Sequence, residues 1–284
     1  RLKHKTQVFF SPSSDHVCTR SEHVSYVDSI SNTIANYLGL NTELTKAIAV
    51  SHDIGHSPFG HKGEKVLNEI SLRDISQSFW HEKNGVHFVD DIELLEDANG
   101  DLKNLDLTYA VRDGIISHCG EIDENSLKPR SQAIDLKDYT KPNEYSPYTW
   151  EACVVKISDK ISYIGRDIED AFHLNLLNNE KLEELKNILG IQNKEALIID
   201  ICNNSTIEKG ICFSTEKLNL INKIKEFNYN NIYSHPRLDA SNEYFKIIIN
   251  RIYNTLKNAY DKENTLSNLE ELKKFYPQTI IRFK

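Results

Sequence analysis

The sequence predicts an all-α protein, a helical bundle with additional C-terminal helices. Apolar residues recur at steps of three and four in segment after segment, the spacing of helices buried along one face. The longest such run, Val154, Ile157, Ile161, Ile164, Ile168 and Phe172, continues for roughly five to six turns. Ser57, Pro58 and Gly60 punctuate the pattern where one helix ends and the next begins.

Taken in order, His23, Val27, Ile30 and Ile34 predict a helix over 21–38 with His23 on its inward stripe. Thr42 is the expected N-cap of a second helix, in which Leu44, Ile48 and His52 share a face. A third starts near His61 and runs through Val66, Leu67 and Ile70, and Leu107, Val111, Ile115 and His118 predict a fourth. The charged, Pro-containing stretch 119–149 reads as an extended, solvated loop long enough to gate a site or bind an effector. After it comes the long buried helix. Beyond residue 175 the helices are amphipathic and rich in Asn, Lys and Leu, and "GICFSTE" (210–216) is a helix start or a short strand. Residues 1–175 are therefore expected to form the core, and 176–284 a helical C-terminal region packing on it.

Composition narrows the functional classes. A hydrophobic fraction of 39% and a charged fraction of 27% suit a globular protein with a substantial core. No apolar run reaches the roughly 18 residues of a membrane span, and the polar, basic first residues lack the apolar stretch of a signal peptide. The five cysteines (Cys18, Cys119, Cys153, Cys202, Cys212) are scattered, without a CxxC pair, as expected in a reducing cytoplasm. A net charge of −8 disfavours nucleic acid as the main partner but leaves room for an anionic small substrate met by a few converging Lys and Arg.

The chemistry concentrates in "SHDIGHSPFGHKGE" (51–64), where three histidines, an aspartate and a glutamate fall inside fourteen residues. Asp159 lies mid-way along the long apolar helix, where an unpaired carboxylate is expensive. His23, His52, Asp53 and Asp159 together offer two imidazoles and two carboxylates from three helices. That donor set suits one divalent ion, Mn²⁺, Fe²⁺, Mg²⁺ or Zn²⁺. HExxH is absent, so the pattern is not that of a zinc protease.

The same spacing resembles the HD phosphohydrolase superfamily. Six blocks in order, "KTQVF" (5–9), "DHVCTRSEH" (15–23), "HDIGHSPFGHKGE" (52–64), "FWHEKNG" (79–85), "LTYAVRDGIISHCGE" (107–121) and "DKISYIGRDIED" (159–170), are similar to the bacterial dGTPase-like deoxynucleoside triphosphate triphosphohydrolases. A bare HD dipeptide carries almost no information; six ordered blocks carry much. The resemblance implies an HD-domain bundle with His23, His52, Asp53 and Asp159 as metal ligands. It makes His61 and Glu64 the catalytic pair, and has His56 and His81 line the phosphate site. Arg20 and Lys160 are implied for phosphate contacts, Tyr163 against the sugar, and Asp167 with Gln7 on the 3′-hydroxyl. The implied reaction is hydrolysis of a dGTP-like deoxynucleoside triphosphate to deoxynucleoside and inorganic triphosphate, by a metal-activated water attacking the α-phosphorus. His61 would protonate the departing 5′ oxygen, and Glu64, three residues on, would orient His61. A homo-oligomer is implied as well. The region after 175 matches most loosely, and there family members differ in assembly and in nucleotide effectors.

Plainer readings stand beside these. His118 alone reads as a core histidine, and Asp159 can pair with Lys156 one turn back. Arg20 and Lys160 can be solvated charges and Tyr163 plain core, while Arg166, Glu169 and Asp170 suit surface or subunit salt bridges. His4, His16, His87, His173 and His235 read as structural. For the whole chain, the alternatives are another HD phosphohydrolase, acting on a nucleoside monophosphate or cyclic nucleotide, and a nucleotide-sensing regulator or single-strand binder without turnover.

Overall fold

The computed structural model describes residues 2–3, 5–9, 17–119, 125–189 and 194–259. His4 and His16, two of the histidines read as structural, lie outside them, as does part of the block 15–23. Among the described residues ten α-helices build the molecule, and one two-stranded antiparallel ribbon interrupts them.

Helix α1 (Arg20–Tyr37) starts at a capping box: the Thr19 hydroxyl accepts from the Glu22 amide, and the Glu22 carboxylate accepts from the Thr19 amide at 2.7 Å. His23, Val27, Ile30 and Ile34 all lie on its buried face. Helix α2 (Thr42–Ser51) is capped one residue earlier than expected. Asn41, not Thr42, accepts from the Leu44 amide, leaving Thr42 as the first helical residue. The turn 52–59 then carries the chain to α3 (Gly60–Ile75), and Phe59 and Gly60 both adopt positive φ, 65° and 58°, at the junction.

Helix α4 (His81–His87) continues through a π-helical turn (Phe88–Ile92) to the ribbon, β1 (Leu95–Glu96) paired with β2 (Leu102–Lys103). Periodicity did not signal this short exposed ribbon. Helix α5 (Tyr109–Ser117) precedes the long stretch expected to be a solvated loop. Its described part, from 125, is instead tied down. Tyr139 is buried, Leu127 bridges to Ile211, and Arg130 pairs with the buried Asp113, whose other oxygen accepts from the Tyr148 amide.

Helix α6 (Trp150–His173) runs through the centre of the bundle. Val154, Ile157 and Ile161 pack with Ile30 and Ile34 of α1 in one core, and Ala152 and Val155 with Ile48, Ile115 and Ile116 in a second. At its far end Ala171 joins a third core with Phe9, Leu176 and Phe227. The expected stripe fails at its last position, since Phe172 is exposed. Periodicity sets the angle of a side chain around the helix, not whether a neighbour lies opposite it. Ile164's side chain lies outside the description.

Helices α7 (Asn179–Leu189), α8 (Lys194–Asn204), α9 (Thr215–Asn228) and α10 (Arg237–Ala259) follow. Ile201 of α8 with Ile221 and Ile224 of α9 close the first core. A π-helical turn (Tyr229–Tyr233) leads into α10, which lays Ile249 on Val66 and Ile70 of α3 and stacks Phe245 on Phe59 with ring centroids 4.2 Å apart. In "GICFSTE" the helix start is what forms, with Ser214 capping α9, while Gly210 and Ile211 make isolated bridges rather than a strand. No helix of the described residues is long and apolar enough to cross a membrane.

Candidate metal centre

Three helices deliver four side chains to one point. His23 projects from the first turn of α1, His52 and Asp53 from the end of α2, and Asp159 from the middle of α6. His23 Nε2 lies 2.9 Å from Asp159 Oδ1 and 3.8 Å from Asp53 Oδ2. His52 Nε2 lies 3.6 Å from Asp53 Oδ1 and 4.0 Å from Asp159 Oδ1.

The far side of each ring decides what faces this point. His52 Nδ1 meets the Ala49 carbonyl at 2.6 Å; a carbonyl only accepts, so the proton sits on Nδ1 and Nε2 presents a lone pair. That Nε2 is buried with no hydrogen-bond partner. His23 Nδ1 meets the Ser162 hydroxyl at 3.1 Å, and that hydroxyl donates its own proton to the Asp159 carbonyl at 2.8 Å. Ser162 is thus the acceptor, and His23 too turns Nε2 inward. The buried lone pair of His52 and the inward Nε2 of His23, whose proton now bridges to Asp159 and would leave on metal binding, form with the two carboxylates a donor set that fits a divalent cation. Lys156 does not compete for Asp159. Its ammonium donates to the carbonyls of Ser117 and Cys119 and to Asn143 Oδ1, at 3.0, 2.7 and 2.7 Å.

Electrostatics sort the protons. Burial alone would raise the Asp53 carboxyl, but Arg20, then His56 and His52, hold it well below the usual carboxylate range. Burial works against charge on His23, yet Asp159 and Asp53 outweigh it and leave the ring more basic than usual. His56 is driven neutral by burial, with Arg20 and His81 adding to it. Burial likewise opposes charge on His81, but Glu82 and Glu64 among its neighbours leave it well above the ordinary imidazole value.

These groups form one wall of a cavity of about 590 Å³, which Gln7, Arg20, His23, Asp53, His56, His61, His81, Asp159, Lys160, Tyr163 and Asp167 all line. His52 and Glu64 stand behind the lining. Arg20, almost fully buried, is not a free cation: one nitrogen donates to Asp53 Oδ2 at 2.7 Å and another to the Gln7 carbonyl at 3.3 Å. His61 is two-thirds exposed, and its Nδ1 is 3.9 Å from Glu64 Oε1, beyond hydrogen-bond range. Glu64's hydrogen bonds go to His81, whose Nδ1 and amide meet its Oε2 at 2.7 and 2.9 Å. His56 and His81 stack with centroids 3.7 Å apart.

What holds His81 against the His52–His56 turn is a missing side chain. A Cβ on Gly55 would lie 2.1 Å from the His81 carbonyl and 2.2 Å from the Gly85 nitrogen. Deeper in the cavity, Asp167 accepts from the Tyr233 hydroxyl at 2.5 Å, and burial pushes its carboxyl up to about 7. Asp167 Oδ1 and Gln7 Oε1 are buried acceptors without a donor.

Two groups escaped the sequence reading. His118, taken as core, is buried but lines the cavity, with Nε2 4.0 Å from Asp53 Oδ1 and its ring 4.9 Å from that of His52. Its place in line with Leu107, Val111 and Ile115 was the available signal. Asp170, expected at the surface, is fully buried and accepts from the Cys18 amide at 3.0 Å, pinning the entry to α1.

The sequence matches the HD domain family model over residues 20–164. It is 34% identical over 266 residues to a deoxyguanosinetriphosphate triphosphohydrolase-like protein of Caldanaerobacter subterraneus, covering 92% of this chain and 69% of that one. Proteins of the same description from Clostridium tetani and Pelagibacter ubique are 33% and 30% identical, over 97% and 92% of this chain and 74% and 80% of theirs.

Proposed function

This chain belongs to the HD-domain family of deoxyguanosinetriphosphate triphosphohydrolase-like proteins, and we propose that it hydrolyses deoxynucleoside triphosphates to a deoxynucleoside and inorganic triphosphate. The observation that carries this is the meeting of His23, His52, Asp53 and Asp159 at the wall of a cavity that also holds Arg20, His61 and Lys160. Those four side chains hold one divalent cation, Mn²⁺, Mg²⁺, Fe²⁺ or Zn²⁺, which when bound supplies Lewis-acid charge and acidifies water.

The chain's own groups do the rest. Lys160, His81 in its protonated form and Arg20 bind the phosphate oxygens. His56, neutral and stacked on His81, completes that surface. His61 delivers a proton to the departing 5′ oxygen, and its exposure lets solvent reprotonate it between turnovers. Glu64 serves this site through His81, fixing which ring nitrogen faces the cavity, and His61 lies within reach once substrate draws it inward. Asp167 Oδ1 accepts from a 3′-hydroxyl with Gln7 beside it, and Tyr163 packs on the sugar where a 2′-hydroxyl would crowd it. Residues 1–175 act as the catalytic core, the described part of 176–284 packs on it to complete the cavity, and the active form is a cytoplasmic homo-oligomer open to a nucleotide effector.

Product analysis tests this. Purified protein incubated with Mn²⁺ and dGTP should release deoxyguanosine and intact triphosphate. Orthophosphate from dGTP, or turnover only of monophosphates or cyclic nucleotides, would replace it with another HD phosphohydrolase. Nucleotide binding with no product would make the chain a sensor.

A further inference from the structure

One cluster on the cavity wall contains two donors, His118 and Cys119, that the proposed reaction leaves unused, beside a third, His81, that it uses. His81, at the start of α4, meets His118 and Cys119, just past the end of α5. One ligand atom from each falls within 4.8 Å of the other two. Ligand atoms around a tetrahedral Zn²⁺ bound at about 2.0–2.3 Å are roughly 3.5 Å apart, so side-chain adjustments of about 1 Å close the set.

Both imidazoles are already turned for the task. The Ile115 carbonyl, 2.7 Å away, fixes the proton of His118 on Nδ1 and leaves Nε2 as the donor. Glu64 engages His81 Nδ1 at 2.7 Å and likewise leaves its Nε2. The backbone bearing the cysteine is anchored, because the buried Lys156 ammonium holds the carbonyls of Ser117 and Cys119. An independent observation points the same way. Glu82, only 1% exposed, has its Oε2 3.3 Å from His81 Nδ1 and without a hydrogen bond. A buried carboxyl oxygen without a partner, beside a thiol and two imidazoles, marks a polar cluster that a divalent cation completes.

We propose that His81, His118 and Cys119 form a second cation site, thiophilic and best suited to Zn²⁺, in the same cavity as the His23/His52/Asp53/Asp159 set. The two sets differ in kind. The first, of nitrogen and oxygen donors, accepts Mn²⁺ or Mg²⁺; the second contains sulfur and prefers Zn²⁺ over both. Binding releases to solvent the thiol proton and the Nε2 proton that His81 carries in its protonated form, as the metal–sulfur and metal–nitrogen bonds form. A zinc ion there occupies His81 and removes it from phosphate binding, so this second ion inhibits.

Cobalt(II) titration of the metal-stripped protein tests the site without reference to turnover. Thiolate coordination gives a near-ultraviolet charge-transfer band that nitrogen and oxygen ligands do not. The wild type should bind two Co²⁺ or Zn²⁺ per chain by equilibrium dialysis and show the band. Cys119→Ser should bind one and lose it, and His118→Gln should do the same while leaving the cysteine in place. Circular dichroism and thermal melting check that both variants fold. A wild-type protein without the band, or a band that survives in Cys119→Ser, overturns the proposal. If the first set rather than the second fails to bind, the count is one with the band present, so the two failures are told apart.

Discussion

The cavity has two walls of different make. One, built from α1, the end of α2, α4, the end of α5 and α6, is a locked array of titratable groups. Arg20, Asp53, His56, His81, His118 and Lys160 are all buried, and hydrogen bonds fix most of them. The other comes from α9, the turn after it and α10. It offers Lys225, Asn228, Tyr229, Tyr233, Arg237 and Phe245, largely aromatic or neutral surface. The comparison separates chemistry from enclosure. Reactive groups need partners that hold their protons and lone pairs in place, so they come from densely packed elements. Enclosure needs shape, which many residue types supply.

Changes on the first wall should therefore cost activity, and changes toward the second should cost fit and stability. The largest effect is expected for Asp53→Ala. It removes a proposed metal ligand and leaves the buried Arg20 without its counter-charge, a loss on the order of 3–5 kcal/mol in stability. Metal analysis should find the ion gone and turnover absent; full metal content in this variant would break the assignment. His61→Ala, on the same wall but exposed, should retain the metal and the melting temperature while kcat falls by ~10²–10⁴. Wild-type kcat in that variant would take the proton donor elsewhere.

Asp167 stands at the seam between the walls and sharpens the contrast through pH. Burial raises its folded pKa from 3.8 to about 7, so between those values the folded chain holds a proton that the unfolded chain has lost. Stability from this group is full below about pH 4 and declines as pH rises through 7. Asp167→Asn mimics the protonated form. The variant's melting temperature should gain on the wild type from pH 5 to pH 8, by an amount equivalent to ~3 kcal/mol at most. A difference independent of pH would place the titration elsewhere. The smallest effect belongs to the second wall: Tyr233→Phe deletes the hydroxyl that donates to Asp167 and should cost ~1–3 kcal/mol in a denaturant melt, with KM rising more than kcat falls.

Much of the fold was legible because it rests on local rules. The steps of three and four located α1, α2, α3, α5 and α6, and the Ser57–Gly60 break located the junction before α3. The misses are places where local rules are silent. Thr42 and Asn41 are both good caps, and only the backbone turn selects Asn41. Phe172 keeps the right angle on α6 but has nothing opposite it. The stretch expected to be a solvated loop is pinned by Asp113–Arg130 and the Lys156–Asn143 bond, contacts invisible to a periodicity argument.

The candidate site divides in the same manner. Residue types and order were enough to single out His23, His52, Asp53 and Asp159, since an inward His or Asp on an apolar stripe must meet a partner or a cation. Sequence order could not assign Glu64 to His81 rather than His61, bring His118 beside Asp53, or draw Cys119 and Glu82 to His81. Those pairings depend on how closely helices approach, and the absent side chain of Gly55 shows how small the margin is. By itself the chain determined most of which residues are buried and which of them are candidates for chemistry, because periodicity and charge are written in consecutive positions. Which of those groups touch one another, and what shape they enclose, was left to packing between segments far apart in the chain, where distances of an ångström decide each contact.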